Sequence, residues 1–246
     1  MIRLFIAAVI FISAAMGTAD AQTFTPEQKK AIEKIVADYI KDNPEKLASS
    51  LDALQEKMLK EQEAALKKQI KASQKELSDN PKDPIIGNPK GDVVIVEFFD
   101  YNCGYCKVMF PKVIDFVKKD GNTKWVLKEM PILMEGSGAA SKVALAAKKQ
   151  GKYEEIHKAF MEHKGQIGEK KALEIAKKHN LDMVKLQKDM ASKEIQDILD
   201  ANRALALKLQ VSGIPVFFIG DEMKGGAFDE KELPELAKKI RAEKKK

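Results

Sequence analysis

Beyond an apolar leader, hydrophobic and polar positions along the first third of the chain alternate with the period of an α-helix. Thr25 before Pro26 is typical of a helix start. Apolar residues then recur at helical spacing, at Ala31, Ile32, Ile35, Val36, Tyr39 and Ile40. Asn43-Pro44 interrupts this pattern, and Asn43 is a suitable cap for the next helix, which we expect over residues 45–78.

The second expected helix carries an apolar stripe that begins with 4-3-4 spacing, formed by Leu47, Leu51, Leu54, Met58, Leu59, Leu66, Ile70 and Leu77. A solvated helix of this length needs a partner for such a stripe. One interpretation is a coiled stalk that joins two or more copies of the chain. The other is an arm folded back on the domain that follows it. We favour the first and treat residues 22–80 as a helical arm and oligomerisation region.

A linker and a compact domain follow the arm. Residues 78–91 contain a high density of helix breakers, which is typical of a linker: Pro81, Pro84, Gly87, Pro89 and Gly91. Val93–Phe99 is β-branched and aromatic, which predicts a buried strand, and Lys124–Met130 predicts a second strand. Val211–Ile219 predicts a turn that leads into a further strand. We expect the compact domain over residues 81–246.

The beginning of the chain has the features of a secretory signal. Arg3 is followed by an apolar run over Leu4–Ala15, and Ala19–Ala21 offers the small residues that a signal peptidase recognises. We therefore expect a signal peptide over residues 1–21, export, and a mature chain that starts at Gln22. The alternative is an uncleaved anchor, for which the apolar run is short. The cleavage pattern points to a bacterial periplasm, where cysteine chemistry runs under oxidising conditions.

The composition of the chain excludes several classes of function. The 246 residues are 44% hydrophobic, which is enough for a sizeable core. The 43 basic and 37 acidic residues leave a net charge of +6, and this balance argues against a nucleic-acid-binding arm, which would need a basic surplus. Two cysteines exclude a disulfide-stapled miniprotein and a four-cysteine zinc site built by one chain.

The two cysteines form a Cys103-Gly104-Tyr105-Cys106 motif between the first predicted strand and a helical segment over Lys107–Lys119. Cys103 would then lie at a helix N-terminus, where free backbone N–H groups and the helix dipole lower the pKa of a thiol below the ~8.5 of free cysteine. Cys106 follows one turn later, within disulfide reach. The pattern predicts that Cys103 is the attacking and leaving sulfur, whereas Cys106 is the resolving one.

Three other interpretations of the cysteines stay open. A structural disulfide would close a two-residue loop and constrain the unfolded chain very little. A zinc half-site would need two more ligands, and the three histidines show no paired spacing with each other or with the cysteines: His157, His163 and His179. Inert buried thiols are the third. A strand before the motif and a helix after it, in an exported chain, favour redox chemistry.

An acidic residue in the first predicted strand is a further candidate for the site. Glu97 alternates with apolar residues, so its side chain is expected to face inward, near the thiols. A buried carboxylate there could accept and donate protons during exchange. The alternative is an edge-strand glutamate that faces water. Lys128 in the second predicted strand is a candidate charge partner for Glu97.

The run Val-Glu-Phe-Phe-Asp-Tyr-Asn-Cys-Gly-Tyr-Cys, followed about 110 residues later by Gly-Ile-Pro, resembles the DsbA-like branch of the thioredoxin superfamily. Residues 91–246 match in motif order. The resemblance implies an α/β thioredoxin fold with a helical insertion at about 136–209. It also implies that Pro215 is cis and packs beside the cysteines, that Glu97 is the family's buried acid, and that the backbone of Ile214 pairs with substrate as an added strand.

The arm makes the resemblance more specific, because it points to one group of DsbA-like proteins. The run Ile-Val-Ala-Asp-Tyr-Ile-Lys-Asp-Asn-Pro-Glu-Lys-Leu ahead of such a domain resembles the suppressor-of-copper-sensitivity C (ScsC) proteins and related exported antigens. The expected architecture is therefore a DsbA-like domain preceded by an extended α-helical N-terminal arm. Some of these relatives self-associate through the arm and act as disulfide isomerases, whereas others are monomers that lack most of it.

The residues between and beside the cysteines point in two directions. Gly104 and Tyr105, which we expect to contact substrate, match the dimeric DsbC isomerase rather than the Pro-His of the family's strong oxidase. Ile214, however, is closer to the valine that precedes the oxidase's cis proline than to the isomerase's threonine.

We predict a periplasmic thiol–disulfide oxidoreductase that acts mainly as an isomerase or reductase of misoxidised or unfolded exported proteins. It would need a membrane thiol–disulfide reductase as electron donor, but no metal, organic cofactor or nucleic acid. One alternative is a monomeric dithiol oxidase. The other is a copper-binding or surface-association protein whose thiols ligate Cu(I), although Met130 and Met134 are expected in the core rather than as ligands.

Overall fold

The structure is a computed structural model that describes residues 24–244. The predicted signal peptide, residues 1–21, lies outside the described residues. The described residues divide into two compact units, residues 24–60 and 61–244. No helix within residues 24–244 is long and apolar enough to cross a bilayer.

The first unit begins with a capped helix, as the sequence predicts. Helix α1 spans Pro26–Asp42, and Thr25 and Gln28 close a reciprocal capping box in which each side chain accepts the other residue's backbone N–H, at 3.2 and 2.9 Å. Asn43 does not cap the next helix, so that prediction is wrong. Its side-chain amide instead donates to the Tyr39 carbonyl at 2.9 Å, and the same carbonyl accepts the Asn43 backbone N–H at 3.0 Å, so Asn43 closes the end of α1.

The second helix is shorter than expected. Helix α2 spans Pro44–Ala72 and is followed, after Ser73, by the short helix α3 over Gln74–Ser78. The two compact units divide after Lys60, whereas we expected the arm to extend to residue 80. The difference has a packing cause, because Ile70 and Leu77 are fully buried in the hydrophobic core of the second unit.

A five-stranded sheet organises the second unit. Its strands are β1 (Ile85–Gly87), β2 (Val93–Phe99), β3 (Thr123–Glu129), β4 (Val216–Ile219) and β5 (Glu222–Gly225), in the order β1-β3-β2-β4-β5. Strand β2 lies at the centre, parallel to β3 and antiparallel to β4. The linker expected over residues 78–91 is not free of structure, because it contains β1, which pairs antiparallel with β3.

Helices surround the sheet. Helix α4 (Gly104–Asp120) connects β2 to β3 and runs through Pro111 without a break. A set of helices lies between β3 and β4 and confirms the expected helical insertion: α5 (Ser137–Lys148), α6 (Tyr153–Glu162), α7 (Glu169–Lys178), α8 (Met183–Met190) and α9 (Lys193–Lys208). Helix α10 (Glu232–Glu243) follows β5.

The alternation of side chains along β2 and β3 gives the sheet two buried faces. Ile95, Phe99 and Trp125 belong to the core cluster that contains α4 and the insertion helices. Val96, Phe98 and Val126 belong to the cluster on the opposite face, which also contains Ile70, Leu77 and Leu205. Glu97 lies between Ile95 and Phe99, so its side chain faces α4.

Candidate active site

The cysteine motif lies where β2 ends and α4 begins. Cys103 is the N-cap residue of α4, with φ −84° and ψ 116°, and its Sγ accepts a hydrogen bond from the Cys106 backbone N–H at 3.3 Å. Its own N–H donates to the Asp100 carbonyl at 3.0 Å, which closes the turn before the helix. Both thiols are free and buried. A sulfur therefore occupies the position in which serine or aspartate oxygen usually caps a helix.

This position separates the pKa values of the two thiols. The side chain of Cys106 hydrogen-bonds to the Cys103 sulfur and, with the backbone N–H groups of Cys106 and Tyr105, lowers the pKa of Cys103 to about 7 against the opposing effect of burial. Burial raises the pKa of Cys106, as do its hydrogen bond to Cys103 and the nearby charge of Glu97. The arrangement favours a thiolate at Cys103 and a protonated thiol at Cys106.

The turn before β4 completes the site. The Ile214–Pro215 peptide bond is cis, and the Cys103 sulfur lies 3.6 Å from the Ile214 carbonyl oxygen, to which it donates when the thiol is protonated. The fold thus brings together the two segments that the resemblance placed side by side. Gly104 and Tyr105 are exposed on the first turn of α4, and 66% of Tyr105 is accessible to solvent.

Glu97 is buried beneath this turn, with only 1% of its surface exposed, so it is not an edge-strand residue facing water. Neither carboxylate oxygen has a hydrogen-bond partner among the described residues. Burial therefore raises the pKa of Glu97 well above its usual range against the opposing effect of the nearby Trp125 side chain, and the charges of Cys103 and Glu129 raise it further. A carboxyl group in this state can hold a proton near neutral pH.

The predicted pairing of Lys128 with Glu97 is wrong. Lys128 is also buried, but its ammonium group pairs with the buried carboxylate of Asp83 and donates to the Glu76 carbonyl at 2.8 Å. The reason is the strand alternation. Glu97 is in register with Leu127, so Lys128 points to the opposite face of the sheet.

Sequence reasoning missed a buried carboxylate beside the motif. Asp100, which has no exposed surface, accepts four hydrogen bonds: from the backbone N–H groups of Asn102, Ile132 and Leu133 at 2.8, 3.0 and 3.1 Å, and from the Ser137 hydroxyl at 2.8 Å. The available signal was its place as an acidic residue three positions before Cys103. Two of its donors lie on the loop after β3 and one on α5, so the connection is tertiary.

Two neighbours of the cysteines extend this connection to the helical insertion. The Asn102 side chain accepts from the Ile167 N–H at 2.7 Å and donates to the Ile167 carbonyl at 3.1 Å. Lys107 donates to the carbonyls of His163 and Gly165 at 2.7 and 3.0 Å. The residues on both sides of the motif therefore hold the loop between α6 and α7.

A second buried polar cluster lies behind the motif. The Glu129 carboxylate accepts hydrogen bonds from the hydroxyl groups of Tyr101, Tyr153 and Ser141, each at 2.8 Å. Burial raises the pKa of Glu129 to about 8, although these three donors act in the opposite direction. His157 Nδ1 lies 3.0 Å from the Tyr101 hydroxyl, and burial lowers the pKa of this imidazole to about 3.

The histidines do not join the thiols in a metal site. His157 is committed to the buried tyrosine, and His179 lies 3.8 Å from the Glu155 carboxylate. Within residues 24–244, no group of three or more His, Cys, Asp or Glu side chains is arranged to hold a metal ion. Of the two methionines that we expected in the core, Met130 is buried and Met134 is partly exposed.

Comparison with known proteins places this arrangement in a family. The model of the DSBA-like thioredoxin domain matches residues 94–241, more than half of the chain. The chain belongs to this family of thioredoxin-fold proteins.

Solved structures of oxidoreductases share the fold. A thioredoxin-like oxidoreductase from Silicibacter pomeroyi is 40% identical, with a TM-score of 0.66, and the match covers 68% of this chain and 97% of that one. ScsC of Proteus mirabilis, in a compact conformation, is 28% identical with a TM-score of 0.66, over 88% of this chain and all of that one. The chain is therefore similar in fold to oxidoreductases of the DsbA and ScsC type.

A curated relative matches this chain over only part of its own length. The Na(+)/H(+) antiporter NhaA 1 of Salinispora arenicola is 25% identical over 158 residues, which are 61% of this chain and 24% of the antiporter. The chain thus spans about a quarter of the length of that protein.

Proposed function

We propose that this chain is a periplasmic protein disulfide isomerase or reductase that acts on misoxidised or unfolded exported proteins. The observation that carries the proposal is the position of Cys103, which caps α4, hydrogen-bonds to the N–H of Cys106 and lies next to the cis Ile214–Pro215 bond. Helix N-terminal N–H groups stabilise a thiolate at physiological pH, and a thiolate is the species that attacks disulfides.

In the proposed reaction, the Cys103 thiolate attacks one sulfur of a substrate disulfide. The substrate S–S bond breaks, a mixed disulfide forms at Cys103, and the other substrate sulfur leaves as a thiolate. In isomerisation, a substrate thiolate attacks the mixed disulfide, forms a new substrate disulfide and releases Cys103, so that the chain is neither oxidised nor reduced overall.

In the reductase branch, Cys106 resolves the mixed disulfide. Its raised pKa means that it must first lose a proton, and Glu97, in molecules in which its carboxyl group is ionised, is the group proposed to accept it. Attack by Cys106 on the Cys103 sulfur releases the reduced substrate and leaves a Cys103–Cys106 disulfide. A membrane thiol–disulfide reductase would then return two electrons to this disulfide.

Substrate binding is proposed to use the rim of the site. The backbone of Ile214 would pair with an extended substrate segment, as an added strand next to Pro215. Gly104 leaves the approach to Cys103 open, because a Cβ built at Gly104 meets nothing within 4 Å. The exposed ring of Tyr105 offers an apolar contact at the same rim.

The isomerase assignment also draws on the arm. Between residues 24 and 60, the apolar stripe is exposed, with Leu47, Leu51 and Leu54 accessible over 46%, 56% and 53% of their surfaces. We propose that copies of the chain associate through these residues. An oligomer would hold two or more reactive thiols on one unfolded substrate, which raises their effective concentration.

The test is reactivation of scrambled ribonuclease by the mature chain and by three variants. Cys103→Ser is expected to abolish turnover. A triple change of Leu47, Leu51 and Leu54 to Gln, which keeps helix propensity, is expected to give monomers and to lower reactivation by about tenfold. Val184→Gln is the matched control, since Val184 is 81% exposed on α8 and outside the arm.

Each alternative function gives its own result. If the triple variant stays oligomeric, the copies do not associate through these leucines, and if it becomes monomeric with full reactivation, association is not the source of isomerase activity. If the mature chain only oxidises reduced ribonuclease, the dithiol oxidase is correct. Stoichiometric Cu(I) retention by the reduced protein, lost in a Cys103→Ser and Cys106→Ser double variant, would support the copper-binding alternative.

The proposed export is tested separately. The exported protein should have the intact mass of a chain that starts at Gln22, and it should be recovered in the periplasmic fraction.

A further inference from the structure

We propose that Asp100 is a positioning residue that sets the redox balance of the Cys103–Cys106 pair, by placing a buried negative charge beside Cys103 and by joining the catalytic turn to the helical insertion. The inference rests on the proposed function, because it concerns the direction in which the same two thiols exchange electrons.

The first support is the hydrogen-bonding geometry of Asp100. Its carboxylate is fully buried and accepts four hydrogen bonds of 2.8–3.1 Å, so the ion is solvated by the protein in place of water. One carboxylate oxygen accepts from Asn102 and Ser137, and the other accepts from Ile132 and Leu133. The carboxylate thus connects the turn before Cys103, the loop after β3 and the first turn of α5.

The second support is a backbone hydrogen bond between Asp100 and Cys103. The Asp100 carbonyl accepts the Cys103 N–H at 3.0 Å, and the Asn102 side chain between them is held by both polar groups of the Ile167 backbone. The charge cannot turn away from the thiol unless this turn opens. It therefore acts on the Cys103 thiolate for as long as this turn stays closed.

The electrostatic effect of this charge has a definite sign. A carboxylate in a low-dielectric interior disfavours a second negative charge nearby. Asp100 accordingly raises the pKa of Cys103 against the stronger lowering by the Cys106 hydrogen bond and the helix N–H groups. The Lys107 ammonium and the Glu129 carboxylate also interact electrostatically with Asp100, with opposite signs.

The sign predicts a direction of redox tuning. A dithiol is a strong oxidant when its reduced form, which carries the thiolate, is stabilised. Asp100 destabilises that thiolate and so favours the Cys103–Cys106 disulfide relative to the dithiol. The chain is thereby less oxidising than it would be without this charge, which suits an enzyme that isomerises or reduces.

The experiment measures the equilibrium of the full chain with glutathione, and the pKa of Cys103 from thiolate absorbance. In Asp100→Asn, the pKa of Cys103 is expected to fall. The equilibrium is expected to shift three- to tenfold toward the dithiol, where tenfold corresponds to about 30 mV. Asp115→Asn is the matched control, with the same chemical change at an exposed residue of α4, about 18 Å along the helix from Cys103, and no shift is expected.

A second variant separates the effect of the Asp100 charge from the effect of the hydrogen bonds that Asp100 accepts. Ser137→Ala removes one of the four hydrogen bonds to Asp100 but keeps the charge. It is expected to lower the melting temperature and to leave the glutathione equilibrium within about twofold of the wild type. A folded Asp100→Asn chain whose equilibrium also stays within twofold would overturn the proposal.

The remaining case is that a neutral variant of Asp100 does not fold. If Asp100→Asn does not fold, Asp100→Ser gives the same neutral comparison with a smaller hydrogen-bonding side chain. If neither neutral variant folds, Asp100 is a structural residue and the redox proposal is abandoned. The wild-type ribonuclease assay is independent of these outcomes, so failure of this inference and failure of the proposed function can be distinguished.

Discussion

The two units of the chain use similar amphipathic helices in opposite ways. Between residues 24 and 60, every large apolar side chain of the stripe is exposed, and α1 has no buried residue. Between residues 61 and 244, comparable side chains form two buried clusters, one on each face of the sheet. Isolated helices gain little stability from hydrogen bonds alone. The second unit is therefore stabilised by its own core, whereas we expect the arm to be stabilised by another copy of the chain.

The largest expected effect is the loss of folding stability when a core residue is truncated. We compare it with the same kind of truncation in the arm. Phe98 is fully buried, and its ring packs edge-on against Phe218 with the centroids 5.8 Å apart. Phe98→Ala should lower the free energy of unfolding by about 3–5 kcal/mol. Leu51→Ala should leave the unfolding of the second unit unchanged and weaken association. Chemical denaturation with sedimentation measures both, and equal losses of stability would remove the distinction between the units.

A comparison of two lysines comes next in size. Lys128 and Asp83 form an ion pair with 1% exposure on each side, whereas Lys60 and Glu56 pair at the arm surface. Lys128→Met should cost about 3 kcal/mol, because it leaves a buried carboxylate without its counter-charge. Lys60→Met should have no measurable effect. Denaturant midpoints test this contrast, and full stability of the Lys128 variant would contradict it.

Smaller effects are expected at the N-termini of α4 and α1. At α4 the expected effect is on the reactivity of Cys103 rather than on stability. Because the pKa of Cys103 is lowered to about 7, its thiolate fraction should fall as pH drops below 7 and approach saturation above 8. The rate of alkylation at Cys103 should therefore fall nearly tenfold between pH 7 and pH 5.8. Iodoacetamide kinetics of the wild-type chain, with the alkylated cysteine located by mass spectrometry, test the titration while the Cys106 hydrogen bond is kept. A midpoint near that of free cysteine would mean that the helix does not stabilise the thiolate.

Thr25 caps α1 with the geometry that Cys103 provides for α4, and its removal should give the smallest effect. Thr25→Ala should destabilise the first turn of α1 by about 1 kcal/mol. Hydrogen exchange of the residue 26–30 amides measures this fraying, while ribonuclease reactivation should not change. Protection equal to that of the wild type would show that the cap does not stabilise this end of the helix.

The sequence was informative where a pattern is local and ambiguous where contacts are tertiary. The capped start of α1, the apolar strand β2 and the cysteine motif each have a signal within a few residues, and the structure places all three as expected. Strand β1 was missed because three residues carry no periodicity, and its pairing with β3 is formed across the fold.

Tertiary contacts also limited how much of the candidate site could be predicted from the sequence. The cysteines are adjacent in sequence, and the cis bond at Pro215 was expected only through the family resemblance. Lys128 was assigned to Glu97 because the faces of the sheet follow from strand register, which the sequence does not display. Asp100 was overlooked because its significance lies in donors that come from residues 132, 133 and 137.

The most direct test of the central claim is covalent trapping of a substrate. The Cys106→Ser chain, mixed with scrambled ribonuclease, should accumulate a mixed disulfide at Cys103 that is visible on a non-reducing gel and located by mass spectrometry, because resolution by Cys106 is removed. The Cys103→Ser chain should trap none. Trapping by the Cys103→Ser chain, or its absence in the Cys106→Ser chain, would contradict the assignment of Cys103 as the attacking sulfur.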